Sequence, residues 1–486
     1  MRARTLVAIP IFAILTSGCG GADSPPAAGS GEVVGVTPPT SRLALSAAWA
    51  SRAESAVTDA VTQWNINALT AIFAEGPTVH AAALSLAMVH GAVYDAVNGI
   101  DRDHQPYLIM PQAHPWDSKD AAVATAAYRV LVAVVPSQTA TLATQYAEAL
   151  AAIPAGPAKD GGIAVGETAA RAMLAARTND GRNPTTPFPF VFGTTAGVWR
   201  VSPPLTAPDA TPWVANVKPF LVPNVEMLRT KGPYKLTSKA YADDLNEVKS
   251  LGSFSSTTRT ADQTNAAIFW QSPAPGLYSG LMRSLSARFG LTTSQSARLF
   301  AMASLAGADG AIGCWNDKYH WNFWRPIDAI RLAASDGNPA TAEDAAWRPL
   351  FDPATPTTPP LATPNFPDHP SGHSCVSGAM LNVMRQFFGT DEIAFDIVST
   401  RFAGTPAQTR HYQRFSDALK EVINARVWGG IHFRNADEQG AKLGMSVAKW
   451  EHAHYFNALD GCEDVGQEDD EQLDDDNDDE RPIAVQ

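Results

Sequence analysis

The sequence predicts an all-α fold: a large helical-bundle protein, built as paired four-helix bundles, with a Pro/aromatic-rich irregular insertion. Three observations carry this. Apolar residues recur at spacings of three and four, as in Val57, Val61, Trp64, Ala68, Leu69 and Ile72. The stretch "AAALSLAMVHGAVYDAVNGI" (81–100) is apolar on nearly every face, which suits a helix central to a bundle. Short alternating runs of the kind that make strands are scarce.

The chain opens with "MRARTLVAIPIFAILTSGCGG", two arginines followed by a short apolar stretch and then small residues. That is the pattern of a secretory signal and is too short for a membrane span. Because the small residues end at Cys19, residues 1–18 are expected to be a lipoprotein-type signal peptide, with Cys19 as the acylated first residue, although Thr16 stands where leucine is usual. An ordinary cleaved signal is the plain alternative. Residues 19–45 then read as a flexible tether. The implied address is that of an exported bacterial lipoprotein, held at the membrane only through Cys19 and facing the periplasm or cell surface.

A single helical domain is expected over 46–460, with an N-terminal helical half at about 46–180 and an active-site half at about 235–458. The first half should hold helices at roughly 78–98, 119–150 and 158–177. His80 and His90 lie within it and read as core or rim histidines rather than ligands. Between Asn179 and Pro233 periodicity stops, and Phe188, Phe190, Phe192, Trp199, Trp213 and Phe220 argue for a packed irregular segment that walls a cleft. Helical patterns resume at 236–251, 260–271, 277–289 and 293–312, then at 373–388, 413–428 and 436–456.

The net charge is −13, but "EDVGQEDDEQLDDDNDDER" (463–481) holds twelve acids and one arginine, so most of that charge sits there. Residues 461–486 therefore read as an acidic disordered tail. The remaining body has no basic surplus, which argues against a nucleic-acid partner. Export would place Cys314, Cys375 and Cys462 in an oxidising compartment, yet an odd number cannot all pair internally. A Cys314–Cys375 disulfide stands against three buried free thiols, and the thiols are favoured.

Three segments carry the chemistry. "CWNDKYHWNFWRP" (314–326) places Lys318 and Arg325 seven apart, two helical turns, and so on one helix face. "PNFPDHPSGHSCVSGAM" (364–380) puts Ser371, Gly372 and His373 at the start of an apolar helix, where backbone N–H groups and the helix dipole favour an anion. Taken alone, this stretch reads first as a proline-rich turn with a serine N-cap, the commonest cap there is. "ARVWGGIHFRNAD" (425–437) sets Arg426 six residues before His432, across Gly429 and Gly430. Two guanidiniums, an ammonium, a hydroxyl, a backbone N–H and two imidazoles suit a tetrahedral oxyanion. The second imidazole is then free to act as a ligand, a nucleophile or an acid/base.

Lys-x6-Arg-Pro, Pro-Ser-Gly-His and Arg-x5-His, in that order, resemble the three-part signature shared by vanadium-dependent haloperoxidases and type 2 phosphatidic acid phosphatases. The length of the chain, "QWNINAL" and "LAMVHGAVYDAVNGID" resemble the bacterial haloperoxidase branch, and the resemblance covers roughly 50–458. Trp315, three before Lys318, and Asp309 also match chloroperoxidase positions. The resemblance implies vanadate as cofactor, His432 as its metal ligand, and Lys318, Arg325, Ser371, Gly372 and Arg426 as the groups holding its oxygens. It implies His373 as acid/base, Lys318 as the group that polarises bound peroxide, and Phe366 as a chloroperoxidase-like site residue. Hydrogen peroxide, a halide and a small organic acceptor would be the partners, and a hypohalous acid equivalent the product. A phosphomonoesterase with a phosphohistidine intermediate is the alternative. Ala425 departs from the usual serine, and Ala436 replaces the aspartate that braces the phosphatase histidine. Asp437, one place on, is expected to point elsewhere, and the missing brace weighs against a phosphatase.

Overall fold

Small residues set the spacing of the central helices. In the computed structural model, which describes residues 59–76, 78–355, 357, 360–399 and 408–459, a Cβ built on Gly444 would fall 2.2 Å from the carbonyl oxygen of Cys375. Only glycine permits that approach, and it locks together the two helices that carry much of the site. The expected signal segment, tether and acidic tail, with Cys19 and Cys462, lie outside the described residues.

The N-terminal half contributes α1 (Ala60–Ala74), α2 (Val79–Asp101), α3 (Lys119–Val134), α4 (Thr139–Ala151) and α5 (Pro157–Ala176). The later helices are α6 (Lys239–Leu251), α7 (Ala261–Phe269), α8 (Ala274–Phe289), α9 (Thr293–Trp321), α10 (Pro326–Arg331), α11 (Gly372–Phe387), α12 (Phe415–Trp428) and α13 (Arg434–His454). Helix starts follow their polar residues: Thr260 with Gln263, and Thr292 with Gln295, form reciprocal capping boxes at α7 and α9.

Helix α9 is the axis of the molecule. It packs against α2 on one side and against α11 and α13 on the other. Residues 297–315 of α9 enter one hydrophobic core that runs from Val61 of α1 to Phe456 beyond α13. A smaller cluster around Leu245, Phe323, Trp324, Ile327 and Phe433 backs the region where α9 gives way to α10. Among the described residues, no helix is long and apolar enough to cross a membrane.

Three sequence expectations are corrected here. The helix expected over 119–150 is two helices, because Pro136 opens a 3-10 turn (Pro136–Gln138) and its ring cannot continue the α-helical ladder. The helix expected to stop at 312 continues to Trp321 and ends on Asn322, whose φ of 48° is left-handed. An antiparallel hairpin was not anticipated: β1 (Phe395–Ser399) pairs with β2 (Gln408–Tyr412), and β1 buries alternate residues. Five residues of alternation are too few to stand out from a helical background.

The irregular stretch between α5 and α6 contains two 3-10 turns, Pro212–Asn216 and Val225–Leu228. It is anchored from α9 by the buried Asp309 carboxylate, which accepts the backbone N–H groups of Phe220, Leu221 and Val222 at 2.6, 2.8 and 2.9 Å. Asp309 thus fastens the insertion to the core and takes no place among the cations described below. Phe188 and Phe190 pack near Tyr319 of α9, with ring centroids 4.6 and 5.9 Å away.

Candidate active site

The two cations of the first segment meet by a turn and not by sharing a helix face. Lys318 occupies the last turn of α9, the left-handed Asn322 reverses the chain, and Arg325 precedes α10. Both cations then lie over the ring of Phe366, 5.1 Å (Lys318 Nζ) and 4.8 Å (Arg325 guanidinium carbon) from its centroid. The one-face expectation is therefore corrected, while the juxtaposition it was meant to explain is present.

The proline-rich run exists to present carbonyls. Lys318 Nζ donates to the carbonyls of Pro367 and Asp368, both at 3.0 Å, and to that of Pro370, while Arg325 Nε donates to Phe366 O at 2.8 Å. Prolines at 364, 367 and 370 hold this segment extended and remove N–H donors that would compete for those acceptors. With its three protons directed at carbonyls, Lys318 supplies the site with charge. Burial pulls its pKa down from 10.5 to about 8.

Ser371 stands in the N-cap position of α11 but makes no side-chain capping bond, so the plain N-cap reading is overturned. Its backbone N–H instead donates to Ala436 O at 2.8 Å, which ties the start of α11 to α13. Gly372 lies under Trp315, where an added Cβ would come within 2.9 Å of the indole. His373, partly exposed, sits in the first turn of α11.

Arg426 and His432 reach the same place through Gly430, whose φ of 74° lets the chain turn between α12 and α13. Arg426 is buried, with Nη1 3.2 Å from Trp270 O and both terminal nitrogens 3.2 Å from Gln271 Oε1. His432 is also buried. Its Nδ1 is 2.9 Å from Asp368 Oδ1, and its Nε2 is 3.1 Å from Arg325 Nη1. Arg325 can only donate, so Nε2 presents its lone pair and Nδ1–H donates to Asp368. Burial, reinforced by Arg325 and Lys318, holds the imidazole pKa well below its usual range, so the ring is neutral. Burial pushes the Asp368 carboxyl up, against the pull of Arg325 and Lys318.

One further sequence expectation changes. His432 does have a carboxylate partner, supplied by Asp368 from the preceding motif and not by α13. Asp437 points elsewhere than His432, as expected: it is fully buried and accepts the Ser374 hydroxyl at 2.9 Å, at the base of α11. Burial raises its pKa to about 7. Asp368, Trp270 and Gln271 were missed as site residues. Asp368 had a visible signal, as the one acid inside the proline-rich motif, whereas a backbone carbonyl such as that of Trp270 leaves none.

All seven predicted residues thus fall in one cluster: Lys318, Arg325, Ser371, Gly372, His373, Arg426 and His432. Their donor set fits an oxyanion. Among the described residues, Arg325 Nη2 and Arg426 Nε are buried and find no hydrogen-bond partner, and each such donor costs about 1–3 kcal/mol unless an acceptor reaches it. The vanadate group implied by the sequence signature would supply such acceptors.

Residues 298–461 match the family described as the VCPO second helical-bundle domain. The vanadium chloroperoxidase of Curvularia inaequalis is 29% identical over 228 residues, a match that spans 37% of this chain and 37% of that relative. Over this segment the chain is similar in sequence to the vanadium-dependent haloperoxidases. The haloperoxidase fold extends beyond the matched segment. A bacterial vanadium-dependent iodoperoxidase superposes with a TM-score of 0.68 at 21% identity, over 84% of this chain and 99% of that one. The holo form of a bacterial vanadium-dependent chloroperoxidase superposes with a TM-score of 0.61 at 17% identity, over 77% of this chain and 91% of that one.

Other sequence candidates take the places expected of core and rim. His90 is buried against Phe300 and bonds Asn65 at 2.9 Å. His80 packs against Trp315 with ring centroids 3.8 Å apart and planes tilted by 53°, and contacts Thr211 Oγ1 at 3.1 Å, at the edge of this cluster. Cys314 and Cys375 are buried free thiols, as favoured, with no disulfide between them.

Proposed function

We propose that this chain is a vanadate-dependent haloperoxidase, which oxidises a halide with hydrogen peroxide to a hypohalous acid equivalent that halogenates small organic acceptors. The observation that carries this reading is the neutral His432 imidazole, its Nε2 lone pair directed into a nest of buried cations that includes two unpartnered guanidinium donors. Bound vanadate would supply Lewis acidity, activating hydrogen peroxide toward attack by halide.

The chain's own residues do the rest. His432 Nε2 would be the ligand atom once Arg325 Nη1 turns from it to an oxygen, and Arg325 and Arg426 would hold oxygens through their N–H groups. The Ser371 hydroxyl and the Gly372 N–H, at the positive end of α11, add two more donors. Lys318, its protons held by carbonyls, would act through its charge alone, offsetting anionic charge and polarising peroxide by its field. His373, partly exposed at the same helix start, would move the peroxide protons between the site and solvent. Phe366 and Trp315 wall the cations and keep water from screening them.

A phosphomonoesterase is the second reading, favoured by one specific observation. The Asp368–His432 pair gives the imidazole the orienting carboxylate that a histidine nucleophile uses. The test takes the purified protein freed of oxyanions, restores orthovanadate, and measures peroxide-dependent bromination and chlorination beside phosphomonoester hydrolysis. Halogenation that requires vanadate supports the first reading. Ester hydrolysis with no halogenation at any vanadate concentration replaces it with the second.

A further inference from the structure

We infer that Asp368 is the positioning residue for the ligand histidine, taking over from the proline-rich motif the task that a carboxylate on α13 does not perform here. This rests on the reading of His432 as a vanadium ligand. Asp368 Oδ1 lies 2.9 Å from His432 Nδ1, with the two side chains 1% and 2% exposed, so no water competes for the contact. A histidine ligand whose other nitrogen donates to a carboxylate is fixed in tautomer and ring orientation, and its ligating nitrogen is more electron-rich.

The backbone of Asp368 makes the brace rigid. Its N–H donates to Phe323 O at 2.9 Å, and its carbonyl accepts Lys318 Nζ at 3.0 Å. The same residue therefore ties the α9–α10 turn, the lysine and the histidine into one unit. Ala436, at the α13 position where the phosphatase pattern has its aspartate, offers no side-chain acceptor, and Asp437 is engaged with Ser374. Within this geometry, Asp368 is what keeps Nε2 facing Arg325.

The discriminating readout is the preference for vanadate over phosphate, since vanadium adds a bond to nitrogen that free inorganic phosphate does not, while both use the same oxygen donors. Dissociation constants for orthovanadate and inorganic phosphate are measured by calorimetry on the wild type, Asp368→Asn and Asp368→Ala. The preference should fall about 10–100-fold in Asp368→Ala. Asp368→Asn, which keeps the volume and one acceptor oxygen, should fall less, and phosphate affinity should stay within about twofold of wild type in both. Unchanged preference in both variants overturns the proposal. Equal weakening of both anions also overturns it, because that is the signature of a merely structural residue. A wild type with no preference for vanadate removes the ligand reading and this proposal with it.

Discussion

Arg325 Nη1 lies 3.1 Å from Nε2 of His432, so a guanidinium and a neutral imidazole face each other with a second guanidinium nitrogen left unpartnered beside them. The arrangement separates two tasks that the sequence signature lists together. His432 offers a lone pair inside the cluster, whereas His373 sits at its edge.

Replacing each histidine should therefore give different phenotypes. His432→Ala deletes the ligand atom and is expected to lose both tight vanadate binding and halogenation. His373→Ala keeps the ligand and the cations. It should bind vanadate and turn over about a hundredfold more slowly or worse. Vanadate titration followed by steady-state assays on both variants decides this, and the reverse pattern would exchange the two assignments.

Gly372→Ala tests the floor of the site. The new Cβ would come within 2.9 Å of the Trp315 ring, so either the indole or the first turn of α11 must shift. A displacement approaching 1 Å costs on the order of a hundredfold in rate. Stability should fall by only about 1–3 kcal/mol, because the ring lies beside the cluster. Circular dichroism melts alongside kcat separate the two effects; a fall in melting point without a fall in rate would contradict this account.

Part of the acid sensitivity should trace to His90, one of several buried histidines held neutral by burial. Burial, aided by Arg283, lowers its pKa from 6.5 to about 3. The folded protein keeps the ring neutral where the unfolded chain protonates it. Its contribution to stability is complete above pH 6.5 and is lost as pH falls through the window toward 3. The full linkage is worth ~5 kcal/mol. Urea midpoints at pH 7.5 and 4.5 should differ less for His90→Gln than for wild type, and an unchanged difference would assign the acid sensitivity elsewhere.

The leader carries its own expectation. If Cys19 is the acylated residue, Cys19→Ala should move the protein from the membrane fraction to the soluble one. Mass spectrometry of the wild type should then find acyl groups on the residue following cleavage; their absence, with membrane retention in the variant, would discard the anchor.

The sequence by itself determined the fold class and named the residues that the fold gathers into the candidate site. Helical periodicity and the all-round apolar α2 fixed a bundle, because the 3.6-residue repeat is written locally. Lys318, Arg325, Ser371, Gly372, His373, Arg426 and His432 were legible because their chemical types recur at fixed short spacings. Tertiary structure alone decided how they are held. The left-handed Asn322 placed Arg325 beside Lys318 across a chain reversal. Carbonyls of Phe366, Pro367, Asp368 and Pro370 caged the cations, and main-chain acceptors have no residue type to read. Asp368 reached His432 across 64 positions, while Asp437 turned toward Ser374 because the close packing of α11 and α13 buries that face. A spacing rule sees neighbours along one helix. The brace, the cage and the unpartnered donors depend on which helices meet, and that is set by the core.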